Sequence, residues 1–183
     1  MATEQMGNNK YNGLMRTMHW LMAILIIGML ALGLYLEELP KDAPNRMELF
    51  GYHKSFGVIA LGLILIRIVI RLRSHVPALP VAMSSLEKLA AKVGHKLLYL
   101  LMVLVPLSGF VMSSANPKRF GVSVFGYRLP DLPASELWAG IAHELHGPAS
   151  WALLVVVVLH ILAVIKHRIF DRPAADVLPR MLP

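Results

Sequence analysis

Four long runs of apolar residues, separated by short polar segments, dominate the chain. Each run has about 20 residues, which is the length a helix needs to cross the hydrocarbon core of a bilayer. The pattern predicts membrane-spanning helices at residues 17–36, 53–72, 93–112 and 147–166. The first run is too long for a signal peptide and lacks a small-residue cleavage pattern, so it is predicted to be retained. We therefore expect an all-α membrane protein built as a bundle of four transmembrane helices.

The connections between the runs differ in charge. Lys and Arg concentrate in the N-terminal segment, the second connection and the C-terminal segment, and they are sparser in the other two connections. By the positive-inside rule, both termini are predicted to be cytoplasmic. The third connection, 113–146, is the longest, and its second half reads SELWAGIAHEL. We expect this half to form a short outer amphipathic helix, capped by Ser135 and lying along the membrane surface.

Composition narrows the class of protein further. The chain has 183 residues, of which 56% are hydrophobic, and its formal net charge is +7. The cations flank the apolar runs and form no basic stripe, which favours membrane lipid over nucleic acid as the partner. Residues 1–183 leave no room for a sizeable soluble domain and are predicted to form a single transmembrane domain. The absence of cysteine excludes disulfides, iron–sulfur clusters, thiolate metal sites and a covalently attached c-type haem.

The candidate chemistry lies in histidines within the apolar runs or at their ends. His19, His53, His146 and His160 are such residues, and an ionisable side chain in hydrocarbon is costly unless it serves a function. Steps of about 100° per residue bring His146 and His160 within about 40° of the same helix face. At 1.5 Å per residue they are about 21 Å apart along it. His143 is about 100° away from His160 and is the poorer candidate.

Depth in the membrane pairs the four histidines. His53 begins the second span at the outer face and is level with His146, whereas His19 and His160 are level near the inner face. Two imidazoles per site, without carboxylate or thiolate, are typical of six-coordinate haem b rather than zinc or non-haem iron. The sequence therefore predicts two haem b groups, with the iron of each held by one histidine pair.

Lys and Arg residues near each end of the predicted helix bundle are candidates to bind the haem propionates or another anion. They are Arg16, Arg67 and Arg71 at the inner end, and Lys54, Lys118, Arg119 and Arg128 at the outer end. Arg67 lies well inside a span and must face protein, water or an anion. Gly28, Gly57 and Gly62 are candidates to let a flat macrocycle approach the backbone. His95 is predicted to have a structural or proton-handling role, and His75, His143 and His167 to be interfacial.

An ordered set of motifs resembles the bacterial cytochrome b561 family. The motifs are MHWLM in the first span, GYHKSFG and LIRIVIRL in the second, VGHKLLYLL and VPLSGFVM in the third, and two histidines 14 positions apart in the fourth. The resemblance extends from about residue 11 to the C-terminal PRMLP. It implies a small four-helix, di-haem, quinone-linked cytochrome of the bacterial inner membrane. By this likeness, His19, His53, His146 and His160 match the four axial ligands of the family.

The resemblance also implies electron exchange with ubiquinone. Members of this type include a superoxide oxidase, which takes electrons from superoxide at the outer face and reduces quinone with cytoplasmic protons. This is the leading hypothesis, with His95, Lys96 and Arg71 as candidates for a quinone or proton site. One alternative is a haem subunit that passes electrons between the quinone pool and a dehydrogenase or hydrogenase-like partner, with 113–146 as its docking surface. Another is a non-redox transporter or scaffold. The electron donor and the oligomeric state are left open.

Overall fold

Four long helices form the protein in the computed structural model, which describes residues 10–118 and 121–182. All four are long and apolar enough to cross a membrane, so the prediction of a four-helix membrane protein is confirmed. Arg119, one of the candidate anion contacts, lies outside the described residues. The helices are α1 (Gly13–Glu38), α2 (Arg46–Arg73), α3 (Ser85–Ser114) and α4 (Glu136–Ile169).

Polar side chains cap the starts of α1, α3 and α4, before their apolar runs begin. The Asn12 side chain accepts the Met15 backbone N–H at the start of α1. Ser84 and Glu87 form a reciprocal capping box at the start of α3. These caps satisfy backbone N–H groups that have no partner within the helix, and they place the helix starts several residues before the apolar runs begin.

The outer amphipathic helix is not a separate element, and this part of the prediction is wrong. Ser135 caps a helix as expected, but that helix is α4, which continues without interruption for 34 residues. The fourth span was predicted to begin at residue 147, but the helix already runs from residue 136 and continues through Pro148, since proline is tolerated inside membrane helices. At 1.5 Å per residue α4 is about 51 Å long, which exceeds the hydrocarbon thickness of about 30 Å. Its first turns therefore project beyond the bilayer rather than lying along it.

A small β-hairpin, which the sequence did not reveal, covers the N-terminal end of α2. Strands β1 (Ser123–Val124) and β2 (Tyr127–Arg128) pair antiparallel. The two residues between them have positive φ, 46° at Phe125 and 91° at Gly126, as a tight hairpin turn requires. The buried hydroxyl of Ser55 on α2 accepts the Phe125 N–H at 3.1 Å. The hairpin is thus anchored two residues from His53.

The helices pack in sequence order and leave one side of the bundle open. Among the described residues, α1 packs against α2, α2 against α3 and α3 most extensively against α4, while α4 makes no comparable contact with α1 or α2. An apolar core lies midway along the bundle. Its buried members are Met22, Ile26, Ala60, Ile64, Leu98, Leu101, Met102, Ala149 and Leu153.

Both described ends of the chain lie at the same end of the bundle. The Tyr11 N–H donates to the Arg180 carbonyl at 3.2 Å, within a C-terminal segment that also receives the Trp20 indole N–H on Met181. This agrees with an even number of spans. That this end faces the cytoplasm remains a prediction from the distribution of charge; we name it the inner end of the bundle, and the opposite end the outer end.

Candidate functional site

The structure brings the four histidines together in the two pairs matched by depth. His53 on α2 and His146 on α4 have ring centres 6.3 Å apart, with the rings at 84° to each other. His19 on α1 and His160 on α4 are also 6.3 Å apart, at 64°. Each pair bridges α4 to a helix against which it does not pack closely. The open side of the bundle is therefore crossed by imidazoles at two depths.

The separation of the rings fits a metal ion bound between them. A metal–nitrogen bond of about 2.0 Å, plus about 1.1 Å from nitrogen to ring centre, puts two opposed imidazoles about 6.2 Å apart. Both observed separations are within about 0.1 Å of that value. With no carboxylate or thiolate in either pair, the donor set suits the axial positions of haem.

A cavity of about 550 Å³ surrounds the outer pair. This volume lies within the range of about 300–1,000 Å³ usual for cofactor sites. Gly33, Gly57 and Gly109 line it, whereas Gly28 and Gly62, which were expected to admit a macrocycle, do not. A Cβ atom on Gly109 would lie 3.0 Å from His146 Cε1, and one on Gly33 would lie 3.6 Å from His53 Cε1. These glycines therefore leave room for the imidazoles themselves.

Hydrogen bonds fix the orientation of His146. Its Nδ1 lies 2.9 Å from the Val105 carbonyl and 3.1 Å from the Ser108 hydroxyl. Since a carbonyl only accepts, Nδ1 carries the hydrogen and Nε2 is left with the lone pair that a metal needs. Among the described residues, His53 Nδ1 and the fully buried Ser113 hydroxyl have no hydrogen-bond partner, and both residues line the cavity. Buried polar atoms without partners are characteristic of a site built for a ligand.

The inner pair lies beside a buried guanidinium. Arg67 is 7% exposed, and its Nη2 is 3.0 Å from His19 Nδ1. Half-buried Arg16 donates to the Leu182 carbonyl, but its Nε is buried and has no partner among the described residues. A buried cation is stable only when an anion or enough hydrogen bonds compensate its lost hydration. Both arginines therefore suit an anionic ligand at this end.

Of the two neighbouring candidates His95 and Lys96, one faces the inner histidine pair and the other faces away from it. The His95 ring is 5.5 Å from the His160 ring, and its Nδ1 is 2.7 Å from the Ala91 carbonyl. Lys96 is exposed, and no interaction of its side chain occurs within the described part of the chain. His95 thus belongs spatially to the inner site, whereas Lys96 does not.

Of the outer Lys and Arg residues that were expected to bind an anion, only some lie at the cavity. Lys54 lines the cavity, but Lys118 pairs with Glu136 at 3.5 Å on the surface, and Arg128 pairs with Asp131 at 2.6 Å. Arg46, which was not proposed as a contact, also lines the cavity. It precedes His53 by seven residues, or about two turns, so both lie on one face of α2. This spacing of seven residues could have identified Arg46 from the sequence.

An ionic cluster at the inner end joins the start of α3 to the end of α4. Lys166 Nζ lies 2.5 Å from Glu87 and 2.9 Å from Asp171, and the buried His167 Nδ1 is 2.5 Å from Asp171. The hydrogen bond from Lys166, together with that from His167, lowers the pKa of Asp171. Glu87, His167 and Asp171 offer three metal-ligand atoms within 4.8 Å of one another. The ammonium of Lys166 bridges the two carboxylates and so links the start of α3 to the segment that follows α4.

Two comparisons with known proteins agree with this geometry. A family model described as prokaryotic cytochrome b561 matches residues 10–183. The chain is also 34% identical over 177 residues to cytochrome b561 homolog 2 of Escherichia coli K12, covering 94% of this chain and 91% of that protein. The range matched by the family model spans all four helices. The chain therefore belongs to the prokaryotic cytochrome b561 family.

Proposed function

We propose that this membrane protein binds two haem b groups and oxidises superoxide at its outer face while reducing ubiquinone at its inner face. Membership of the cytochrome b561 family makes it a haem b membrane protein, consistent with electron transfer. The observation that supports two haems is the pair of equal 6.3 Å ring separations at opposite ends of α4. A single haem would use only one of these pairs.

Each part of the two sites has a defined task in this proposal. His53 with His146 would hold one haem through their ring nitrogens, and His19 with His160 would hold the other. When bound, haem b supplies one-electron oxidation and reduction. The hydrogen bond from His146 Nδ1 to Val105 fixes the ring and increases the donor strength of Nε2. The apolar core between the pairs excludes water and ions from the middle of the bundle.

In the proposed reaction, two superoxide anions are oxidised for each ubiquinone that is reduced. Each superoxide loses one electron to give dioxygen, and ubiquinone gains two electrons and two protons to give ubiquinol. Arg46 and Lys54 at the outer cavity attract the anionic substrate by electrostatic steering. At the inner end, His95 is the candidate proton carrier or quinone contact, because its Nδ1–H donates to the Ala91 carbonyl and its Nε2 is left to accept a proton or a hydrogen bond.

Haem content and superoxide-dependent quinone reduction by the isolated protein test this function. We expect two haem b per chain and reduction of a soluble ubiquinone when superoxide is generated. Replacing Lys54 by Gln should lower the rate and weaken its dependence on salt, because steering is screened by ions. The matched control is Lys118→Gln, whose side chain is 84% exposed and pairs with Glu136. Reduction that is equally fast without superoxide, or no haem signal, would contradict the proposal.

A second function is favoured by the exposed outer end of α4. Leu137 and Trp138 are 68% and 61% exposed, and they lie in the turns that project beyond the bilayer. Exposed aromatic and aliphatic side chains outside the hydrocarbon are typical of a protein-binding surface. A haem subunit that receives electrons from a dehydrogenase or hydrogenase-like partner would use such a surface. Haem reduction that requires an added protein partner, and never superoxide, would support this alternative.

A further inference from the structure

Tyr99 on α3 lies between two arginines of α2 at the inner end of the bundle. Its hydroxyl accepts the Nε–H of Arg67 at 3.2 Å. Its ring faces both guanidiniums, with the Cζ atoms of Arg67 and Arg71 at 5.7 Å and 5.4 Å from the ring centre. We propose that Tyr99, Arg67 and Arg71 together form the site that binds the propionate carboxylates of the inner haem, with Tyr99 donating a hydrogen bond to one of them. This inference rests on the proposed function.

The charge at this site is uncompensated by the protein. Arg67 is buried and Arg71 is half-buried, yet neither forms an ion pair with a carboxylate in the described part of the chain. The contacts found for them are with the neutral Tyr99 and with His19. Burial of an unpaired guanidinium is costly, and cation–π contacts compensate only part of that cost. The site is therefore matched to an anion that comes from outside the chain.

The hydrogen of the Tyr99 hydroxyl is available to that anion. A phenol has one hydrogen to donate and an oxygen that accepts. The oxygen is used by Arg67, while no acceptor for the hydrogen lies among the described residues. A carboxylate is an acceptor only, so it can take this hydrogen together with those of a guanidinium.

The contact of Arg67 with His19 also supports a propionate at this site. Because a guanidinium only donates, His19 Nδ1 must be the acceptor of this 3.0 Å contact, which puts the imidazole hydrogen on Nε2. Binding of iron through Nε2 requires the opposite tautomer, with the hydrogen on Nδ1. Arg67 must then release His19 and find another acceptor. A propionate of the same haem supplies one, so the arrival of the ligand and the movement of Arg67 are coupled.

Haem propionate fits this position better than a lipid phosphate. Arg67 is 7% exposed and contacts His19, whose ring is paired with that of His160. A group held by those two histidines would bring its own carboxylates to the interior, whereas a headgroup remains at the membrane surface. Fork-shaped guanidinium groups also match the planar geometry of a carboxylate.

The test removes the hydroxyl and leaves the ring. Tyr99→Phe keeps the packing and the contacts with both guanidiniums, but it has no hydrogen to donate. A propionate charge stabilises ferric haem, and a hydrogen bond to that charge weakens this effect. We therefore expect a lower midpoint potential for the inner haem only, and roughly tenfold weaker retention of that haem, as for loss of a hydrogen bond to a charged group. The control is Tyr127→Phe, which changes a side chain that is 82% exposed in the outer hairpin.

Haem dimethyl ester, in which both propionates are esterified, separates recognition from a structural effect. Added to full-length chain purified without haem, the ester should show a much smaller difference between the wild type and Tyr99→Phe, because its neutral carbonyls accept a weaker hydrogen bond than a carboxylate does. A deficit of Tyr99→Phe that is as large with the ester as with haem would mean that the hydroxyl acts on the fold, and would overturn the inference. Unchanged potential and retention with ordinary haem would also overturn it. Wild-type protein that binds no haem at all would instead overturn the proposed function, and this inference with it.

Discussion

The sharpest prediction concerns Gly109, which lies against the imidazole of His146. In Gly109→Ala the new Cβ would be 3.0 Å from His146 Cε1 and 3.3 Å from Nδ1. Carbon atoms pack comfortably at about 3.5–4.0 Å, so the ring must retreat by about 0.5 Å. Metal-ligand distances tolerate only about 0.2 Å of deviation. The substitution is therefore expected to displace an outer ligand without removing it.

The size of the effect follows from the packing around the ring. Inserting a methyl group into a filled interior costs about 1–3 kcal/mol. If that cost is relieved by movement of His146, its hydrogen bonds to Val105 and Ser108 are strained as well. At about 1.4 kcal/mol per factor of ten, the affinity for the outer haem should fall by about 5- to 150-fold. The inner haem, about 21 Å away along α4, should be retained.

Haem content of the purified variant, measured as pyridine haemochrome per chain, checks this expectation. Gly109→Ala should bind close to one haem, and its redox titration should lack the outer component. Gly62→Ala is the control, because a Cβ there meets nothing within 4 Å and alanine favours the helix. The reasoning is refuted if Gly109→Ala retains two haems with unchanged potentials. Equal loss of both haems with a lower thermal midpoint would also refute it, since it would indicate general destabilisation.

Three further predictions concern single side chains. His160→Ala should lose the inner haem and keep the outer one; haem content that falls to zero in a folded protein would contradict the pairing. Ser55→Ala removes the acceptor of the Phe125 N–H, so it should cost about 1 kcal/mol and increase proteolysis of the hairpin, and unchanged cleavage would argue against the anchor. Because its pKa is lowered from the ordinary 3.8, the Asp171 carboxylate stabilises the folded protein at pH values above 3.8. This contribution to stability is lost as the pH falls through the lowered pKa. The thermal midpoint of Asp171→Asn should therefore be lower than that of the wild type at neutral pH, and the difference should shrink as the pH falls from 3.8 through the lowered pKa of Asp171.

The amino-acid sequence by itself determined the four spans and the depth of each histidine. Apolar runs of bilayer length must become helices, because the backbone has no other partners for its hydrogen bonds in hydrocarbon. A regular helix then fixes both the rise and the angle between residues, so His146 and His160 had to lie on one face at two depths. The same rule would have identified Arg46, which lies two turns before His53.

Local signals were weaker where the chain leaves the membrane. The segment before residue 147 was predicted to be a separate surface helix, but it is continuous with the fourth span in α4. The hairpin depends on Ser55, a residue 70 positions away from Phe125, and no local pattern records such a contact. Lys118 and Lys96 were candidates by charge alone, yet one pairs with Glu136 and the other faces outward.

Only the tertiary structure decided which side chains meet. The packing of α3 against α4 puts the backbone of Gly109 against His146, and the packing of α2 against α3 puts Tyr99 between two guanidiniums. Periodicity places a residue on a face of its own helix, but the neighbour it meets depends on the register and rotation of another helix. The candidate ligands could thus be found from the sequence, because the position of each histidine along its predicted span gives its depth in the membrane. The residues that orient them and balance their charge could not, because they are defined by contacts between helices.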